Sequence, residues 1–266
     1  MIINRDKNFG FVHIAKCAGS TIRQQLREQD DAAGKFYHSI DHPQLGWING
    51  NHVPLDVLAR YFPEDFEALR AVVSYTIVRD PVDRFVSGMS QYIRDQGQEP
   101  SELTPAQIAA HAEDVIAYMQ GLEGLPDRSH ILFARQEDYV FLEGARVITH
   151  VYAMDHVDAL FEVLERRHGL TLIRDKVWNP TVTYRYPALT KTLKWLKGVG
   201  QKHLSMKAYV TLREIAFRAF TQSGAPKLNE TLMSSEAVMS FVAEYYPADN
   251  ALYHEAKTAA EFDKSA

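Results

Sequence analysis

The sequence predicts an α/β fold in which a parallel β-sheet carries helices on both faces. Three observations predict it. Apolar, β-branched or aromatic runs at residues 9–14, 71–78 and 146–153 each end at a polar turn and are followed by apolar residues at helical spacing. Parallel strands need crossover connections, and this alternation supplies them. With 266 residues, 46% of them hydrophobic and 24% charged, the chain is long and apolar enough to bury a large core.

The first unit is strand, tight loop and helix: residues 9–14, then Gly19, Ser20 and Thr21, then Ile22 and Leu26 on one helical face. A second unit starts at Lys35 and reaches residues 47–53, where Pro54 suits a first helical position and Leu55, Leu58 and Phe62 mark an apolar face. His52 therefore falls after a strand and at the entrance to a helix. The strongest strand, 71–78, stops at Arg79, Asp80 and Pro81, after which Phe85, Met89 and Tyr92 resume helical spacing. Thr104 and Gln107 form a capping box for a helix through Ile108, Ala112, Val115 and Met119, ended by Gly121 and Gly124. A strand over 146–153 leads to Asp155 as a cap, then to a helix of Val157, Leu160 and Leu164 that Gly169 ends. A further strand is expected over 172–177. From Lys191 to Arg218 the chain turns basic and helical around Leu204, Ala208, Leu212 and Ile215, and Gly224 with Pro226 closes that stretch. A last helix over 235–245 precedes residues 246–253.

The net charge of −5 argues against a general nucleic-acid binder, whose phosphate contacts demand a cationic surface. The single cysteine, Cys17, forms no intramolecular disulfide, which suits a reducing compartment and makes a cytoplasmic home the simplest expectation. Residues 1–8 are polar and no signal-peptide pattern precedes the fold. No uncharged run approaches the ~20 residues of a membrane span, so no stable membrane insertion is expected. Nothing in the sequence sets the oligomeric state.

The sharpest chemical feature is the first turn, Ala15-Lys16-Cys17-Ala18-Gly19-Ser20-Thr21. A strand that delivers small residues, a lysine and hydroxyls to a helix start builds an anion cradle from backbone N–H groups, the helix dipole and the lysine. A Walker A loop places its lysine after the last glycine, whereas Lys16 precedes Gly19. Packing alone would explain Gly19 but not Lys16 beside Ser20 and Thr21. The second feature is Arg79-Asp80-Pro81 with Ser87 in the following helix, which can grip another phosphate. Taken alone it is weak, because Asp80-Pro81 is also a helix-entry signal and Arg79 or Arg84 can pair with Asp83 or a nearby glutamate.

Together these two motifs resemble the carbohydrate sulfotransferases that use 3′-phosphoadenylyl sulfate, both the Golgi-type and the uronosyl (heparan sulfate) 2-O-sulfotransferases. Those enzymes tend to read Pro-Lys-Thr-Ala/Gly-Gly-Thr-Ser, so Ala15 and Cys17 depart from the pattern and the two hydroxyls are swapped. The resemblance implies a single domain over 1–266 with a P-loop-like parallel sheet and a helical, basic C-terminal elaboration over 185–235. It implies that Lys16 contacts the 5′-phosphosulfate and the leaving phosphate, with Ser20 and Thr21 on its oxygens. Cys17, Ala18 and Gly19 complete that loop, while Arg79 and Ser87 hold the 3′-phosphate. The loop Asn49-Gly50-Asn51-His52-Val53 is similar to the Gly-His-Val loop of the 2-O-sulfotransferases, which implies His52 as catalytic base; a histidine at a helix start for structural reasons is the alternative. The run 241–253 resembles the family's closing aromatic-Asp-Leu-Tyr segment that packs on the core. A glycan acceptor and no metal are implied.

Cys17 is read as filling a small-residue position, although a thiol at a helix N-terminus can become acidic. His13, inside the first strand, is expected to be a buried, hydrogen-bonded core histidine. His38 and His42 flank Asp41 without metal-ligand spacing. His130 and Gln136 resemble a stretch near the acceptor cleft of Golgi-type relatives, and Asn179-Pro180-Thr181 a loop over the nucleotide or a plain turn. Two other functions share the motifs: a kinase using ATP, which needs Mg²⁺ carboxylates, and a noncatalytic nucleotide- or glycan-binding protein.

Overall fold

The computed structural model of the chain describes residues 1–173, 182–184, 221–223 and 225–263. In chain order its elements begin with β1 (Ile2–Asn4), β2 (Phe9–Val12), α1 (Gly19–Leu26), β3 (Ser39–His42), β4 (Gly46–Asn49), α2 (Leu55–Tyr61) and α3 (Pro63–Arg70). Next come β5 (Val73–Val78), α4 (Pro81–Asp95), α5 (Pro105–Gln120), β6 (Phe141–Leu142), β7 (Ala145–Arg146), β8 (His150–Ala153) and α6 (Val157–His168). The last are β9 (Val182–Tyr184), β10 (Thr221–Ser223), α7 (Pro226–Met233), α8 (Glu236–Tyr245) and α9 (Pro247–Asp263).

Four strands form one sheet in the order β1-β2-β5-β8, with β2, β5 and β8 parallel and β1 antiparallel at the edge. Phe11 pairs in register with Tyr75, which pairs in turn with His150. Strands buried on both faces read as continuous apolar runs, and Phe9, Phe11 and Tyr75 are fully enclosed. Thr76 satisfies its hydroxyl inside this core by donating to the Val12 carbonyl at 2.8 Å. Helix α9 packs on β8 and β5, α3 on β5, and α6 on β8. A second apolar cluster gathers Phe85, Met89 and Ile93 of α4 with Ile108, Leu228 and Phe241.

Several local expectations hold because their chemistry is local. Thr104 and Gln107 close a capping box, Asp80 caps α4 by accepting from the Asp83 amide, the last expected helix forms as α8, and Gly169 ends α6 at φ 62°. Others are corrected. The strand before His52 belongs to a separate antiparallel hairpin, β3–β4, and not to the main sheet. Pro54 stands one residue before its helix, Phe62 falls just after it, and Pro63 opens a further helix, α3, that was not expected. Of 146–153 only β8 joins the sheet, since Arg146 pairs within the small β6–β7 hairpin. Asp155 caps nothing; its carboxylate accepts from the Tyr253 hydroxyl at 2.8 Å, a stronger use than an exposed amide. Leu172 and Ile173 are irregular, and 174–177 lie outside the described residues. Within 185–235, β10 pairs antiparallel with β9, so this part is not wholly helical. The basic residues from Lys191 to Arg218 and the run Asn179-Pro180-Thr181 lie outside the described residues. Among the described residues no helix is long and apolar enough to cross a membrane.

The closing segment packs on the core through Tyr246, Asp249, Leu252 and Tyr253. Asp249 is fully buried 3.6 Å from the Arg84 guanidinium, itself buried, which also donates to the carbonyls of Leu132 (3.1 Å) and Ala134 (2.6 Å). Tyr246 adds a ring 5.3 Å from that guanidinium and donates to the Phe133 carbonyl at 2.6 Å. Removing one partner of such a pair strands a buried charge, so Asp249→Ala is expected to lower the unfolding free energy by about 3–5 kcal/mol. Urea denaturation of the two proteins checks this, and a loss under about 1 kcal/mol, typical of exposed pairs, would contradict it.

Candidate functional site

The turn after β2 runs from His13 to Ala18 and delivers the chain to α1. Lys16 and Ala18 adopt left-handed backbone, φ 66° and 57°, a conformation that costs a non-glycine residue ~1–2 kcal/mol. Turns with alternating left-handed residues are the kind that form anion-binding concavities. Helix α1 opens after this turn with no side chain capping it and no acid in its first turn, where Ser20 and Thr21 are half-buried. Gly19 is required at the opening: a Cβ there would lie 2.0 Å from Cδ2 of His13.

Arg79 leaves the end of the neighbouring parallel strand and donates from Nη1 to the Lys16 carbonyl at 3.4 Å, with Asp83 3.7 Å away as a partly exposed partner. Burial and the charges of Arg79 and Arg94 hold the Lys16 ammonium below its ordinary range. The structure thus brings Lys16, Gly19, Ser20, Thr21 and Arg79 to the carboxyl ends of two adjacent strands. Ser87 sits on α4 one helical turn beyond Asp83, with no hydrogen bond among the described residues. Arg94 was not legible as a member of this cluster; it lies seven residues after Ser87 on the same helical face and donates to the Ser90 hydroxyl at 2.8 Å.

Cys17 enters the site through its backbone alone. Its thiol points inward, donating to Gln136 Oε1 at 3.2 Å, and burial pushes its pKa up to about 12, so the acidic-thiol reading falls. Gln136 is fully buried, so it lines no open surface; its amide accepts from the Arg79 N–H and donates to the Arg79 carbonyl, both at 2.9 Å. Asp249 in turn accepts from the N–H groups of Gln136 and Glu137 at 2.8 and 2.9 Å. His130 stacks on Tyr118 at 3.7 Å and bonds to Asp127, a local brace.

His52 reaches the site although its strand does not. Its Nδ1–H donates to the His13 carbonyl at 3.1 Å, which leaves Nε2 as the basic nitrogen. The Arg23 guanidinium of α1 donates to Asn51 Oδ1 and ties the same loop to the anion turn. Burial lowers the His52 pKa to about 3. His52, Trp47, Asn49, Tyr118 and Arg128 line a cleft of about 430 Å³, and Trp47 is 67% exposed there. Among the described residues no group of three His, Cys, Asp or Glu side chains could hold a metal. His42 packs instead against Tyr61 and Phe62.

His13 and His52 are both held neutral in the folded protein, while an unfolded imidazole binds a proton below about pH 6.5. The unfolded state therefore gains protons first, so the contribution is fully present above about pH 6.5 and is lost as the pH falls toward 3. Unfolding free energy is expected to drop by up to ~1.4 kcal/mol per pH unit for each histidine in that window. Urea melts at stepped pH check this, with His52→Gln expected to flatten the slope; equal slopes in both proteins would contradict it. Comparisons of the chain with known protein families, with curated proteins and with solved structures give no match.

Proposed function

We propose that the chain is a sulfotransferase with a P-loop-like sheet, moving a sulfuryl group from 3′-phosphoadenylyl sulfate to a hydroxyl of a carbohydrate acceptor. One observation carries this reading. Arg79 is bonded to the Lys16 carbonyl and His52 to the His13 carbonyl, so both are tied to the turn after β2. This supports reading them as a cationic grip and a neutral base at one anion site. In this reading Lys16 and the loop amides with Ser20 and Thr21 hold the 5′-phosphosulfate, and Arg79 and Ser87 hold the 3′-phosphate. The acceptor enters by the cleft beside Trp47.

Sulfuryl transfer demands in-line geometry, cations on the leaving oxygens and a base for the attacking hydroxyl. His52 Nε2 takes the acceptor proton as the oxygen attacks sulfur. The bond from sulfur to the bridging oxygen breaks, and Lys16 with the loop N–H groups stabilises the charge gathering on the departing 5′-phosphate. A kinase needs a free carboxylate for Mg²⁺ beside this loop; Asp80, the first after β5, is engaged in capping α4, and Asp83 faces Arg79.

Transfer from radiolabelled 3′-phosphoadenylyl sulfate to a mixed oligosaccharide pool tests the assignment. His52→Ala is expected to lower kcat by ~10²–10⁴-fold, the range of a lost general base. Arg79→Ala is expected to raise the donor KM by about 10- to 100-fold, the range of a lost charge-assisted hydrogen bond. Wild-type kcat in His52→Ala would remove it as the base.

A further inference from the structure

His13 is unlike the core histidine its position in the sequence implies. It is 5% exposed, yet its Nδ1 is buried with no hydrogen-bond partner. Buried polar atoms without partners cost about 1–3 kcal/mol, so a residue serving only to fill this space would be better replaced by an apolar ring. Its surroundings are specific. On one side the ring stands against the first residue of α1, where Cδ2 and Nε2 lie 2.0 and 2.7 Å from the place a Gly19 Cβ would take. On the other side the His52 ring lies 4.5 Å away, tilted by 56°. The imidazole is wedged between the opening of the anion turn and the proposed base.

Its protonation follows from those surroundings. Burial, with Arg23, Lys16 and His52 nearby, holds the ring neutral at physiological pH. A neutral imidazole carries one N–H. Placed on Nδ1, that proton would be an orphaned buried donor, the rarer and costlier defect; placed on Nε2, it leaves only an unpaired acceptor in the core. Nε2–H is then a directional, uncharged donor beside the first residue of α1, a helix start with no side-chain cap.

We propose that His13 is a catalytic residue of the sulfotransferase reading above, on which the proposal rests: its Nε2–H donates to a non-bridging oxygen of the tetrahedral anion held by the anion turn. The proton stays on His13 throughout, and the acceptor's proton goes to His52. A neutral donor here adds stabilisation to the oxygens of the anion bound at the turn without placing a third full charge against Lys16 and Arg79.

Two measurements on the full chain test it. Nitrogen-15 NMR of ring-labelled histidines at neutral pH is expected to show His13 as the Nε2–H tautomer, with that proton moving downfield when adenosine 3′,5′-bisphosphate or inorganic sulfate is added. A Nδ1–H tautomer, or an unmoved resonance while the nucleotide binds, would overturn the proposal. His13→Phe is expected to unfold no more easily than the native protein but to lose about 10²-fold in kcat, the loss typical of one oxyanion donor. His13→Gln, whose amide keeps a donor near the same place, is expected to recover at least tenfold of that loss. Native kcat in His13→Phe, or no recovery in His13→Gln, would reduce the residue to packing. The response to sulfate is independent of transfer. If the bisphosphate fails to bind and sulfate still moves the His13 proton, the sulfotransferase reading falls while the anion donor stands.

Discussion

The side-chain amide of Gln136 is the joint on which the site depends. It closes on both backbone groups of Arg79 and receives the Cys17 thiol, so one residue fixes the spacing between the turn after β2 and the turn after β5. Gln136 is itself held from behind by Asp249 of α9, whose charge Arg84 of α4 balances. A buried amide that satisfies three partners is stiff, because any displacement leaves desolvated groups unpaired. The position of Arg79 over the anion turn is thus set by packing and hydrogen bonds in the core, and no ligand is needed to create it.

This arrangement stores strain and like charge at one place. Lys16 and Ala18 hold backbone angles that only glycine adopts freely, and the Lys16 ammonium lies in the field of Arg79 and Arg94. The carboxylates of Asp83 and Glu99 stand 3.7 and 3.6 Å from the two arginines, and Asp95 offsets part of their effect on Lys16. In the proposed reading a polyanion bearing phosphate and sulfate would offset both costs, since it brings acceptors to the start of α1 and charge to the cations. The two histidines fit the same economy. Kept neutral, they add a base and a donor without adding repulsion.

The parts of this structure that the sequence made legible are those governed by short-range chemistry. Strands β2 and β5 follow from β-branched and aromatic runs, the caps Asp80 and Thr104 from side chains acting within one turn, and the end of α6 from the left-handed backbone that Gly169 adopts freely. The turn between β2 and α1 was legible because an apolar strand run, Gly19 and a helical face follow one another closely in sequence. The β3–β4 hairpin was not, since its strands are polar and four residues long, and nothing local separates them from a strand of the main sheet. Gln136 and Asp249 pair over 113 residues of sequence, a contact that no periodicity predicts. His52 was found by motif, yet it arrives by a route the pattern did not contain: a hairpin loop pinned by the His13 carbonyl and by Arg23. Arg94 stayed hidden because an arginine late in an amphipathic helix reads as solvated surface.

The central claim is that the anion turn and Arg79 form one site for a nucleotide carrying phosphates at both the 3′ and 5′ positions. Calorimetric titration of the protein with adenosine 3′,5′-bisphosphate, beside ATP with Mg²⁺, tests it most directly. The account predicts saturable binding of the bisphosphate without metal, weakened by Arg79→Ala and by Lys16→Ala, and no comparable binding of ATP. Preference for ATP with Mg²⁺, or bisphosphate binding untouched by both substitutions, would contradict it.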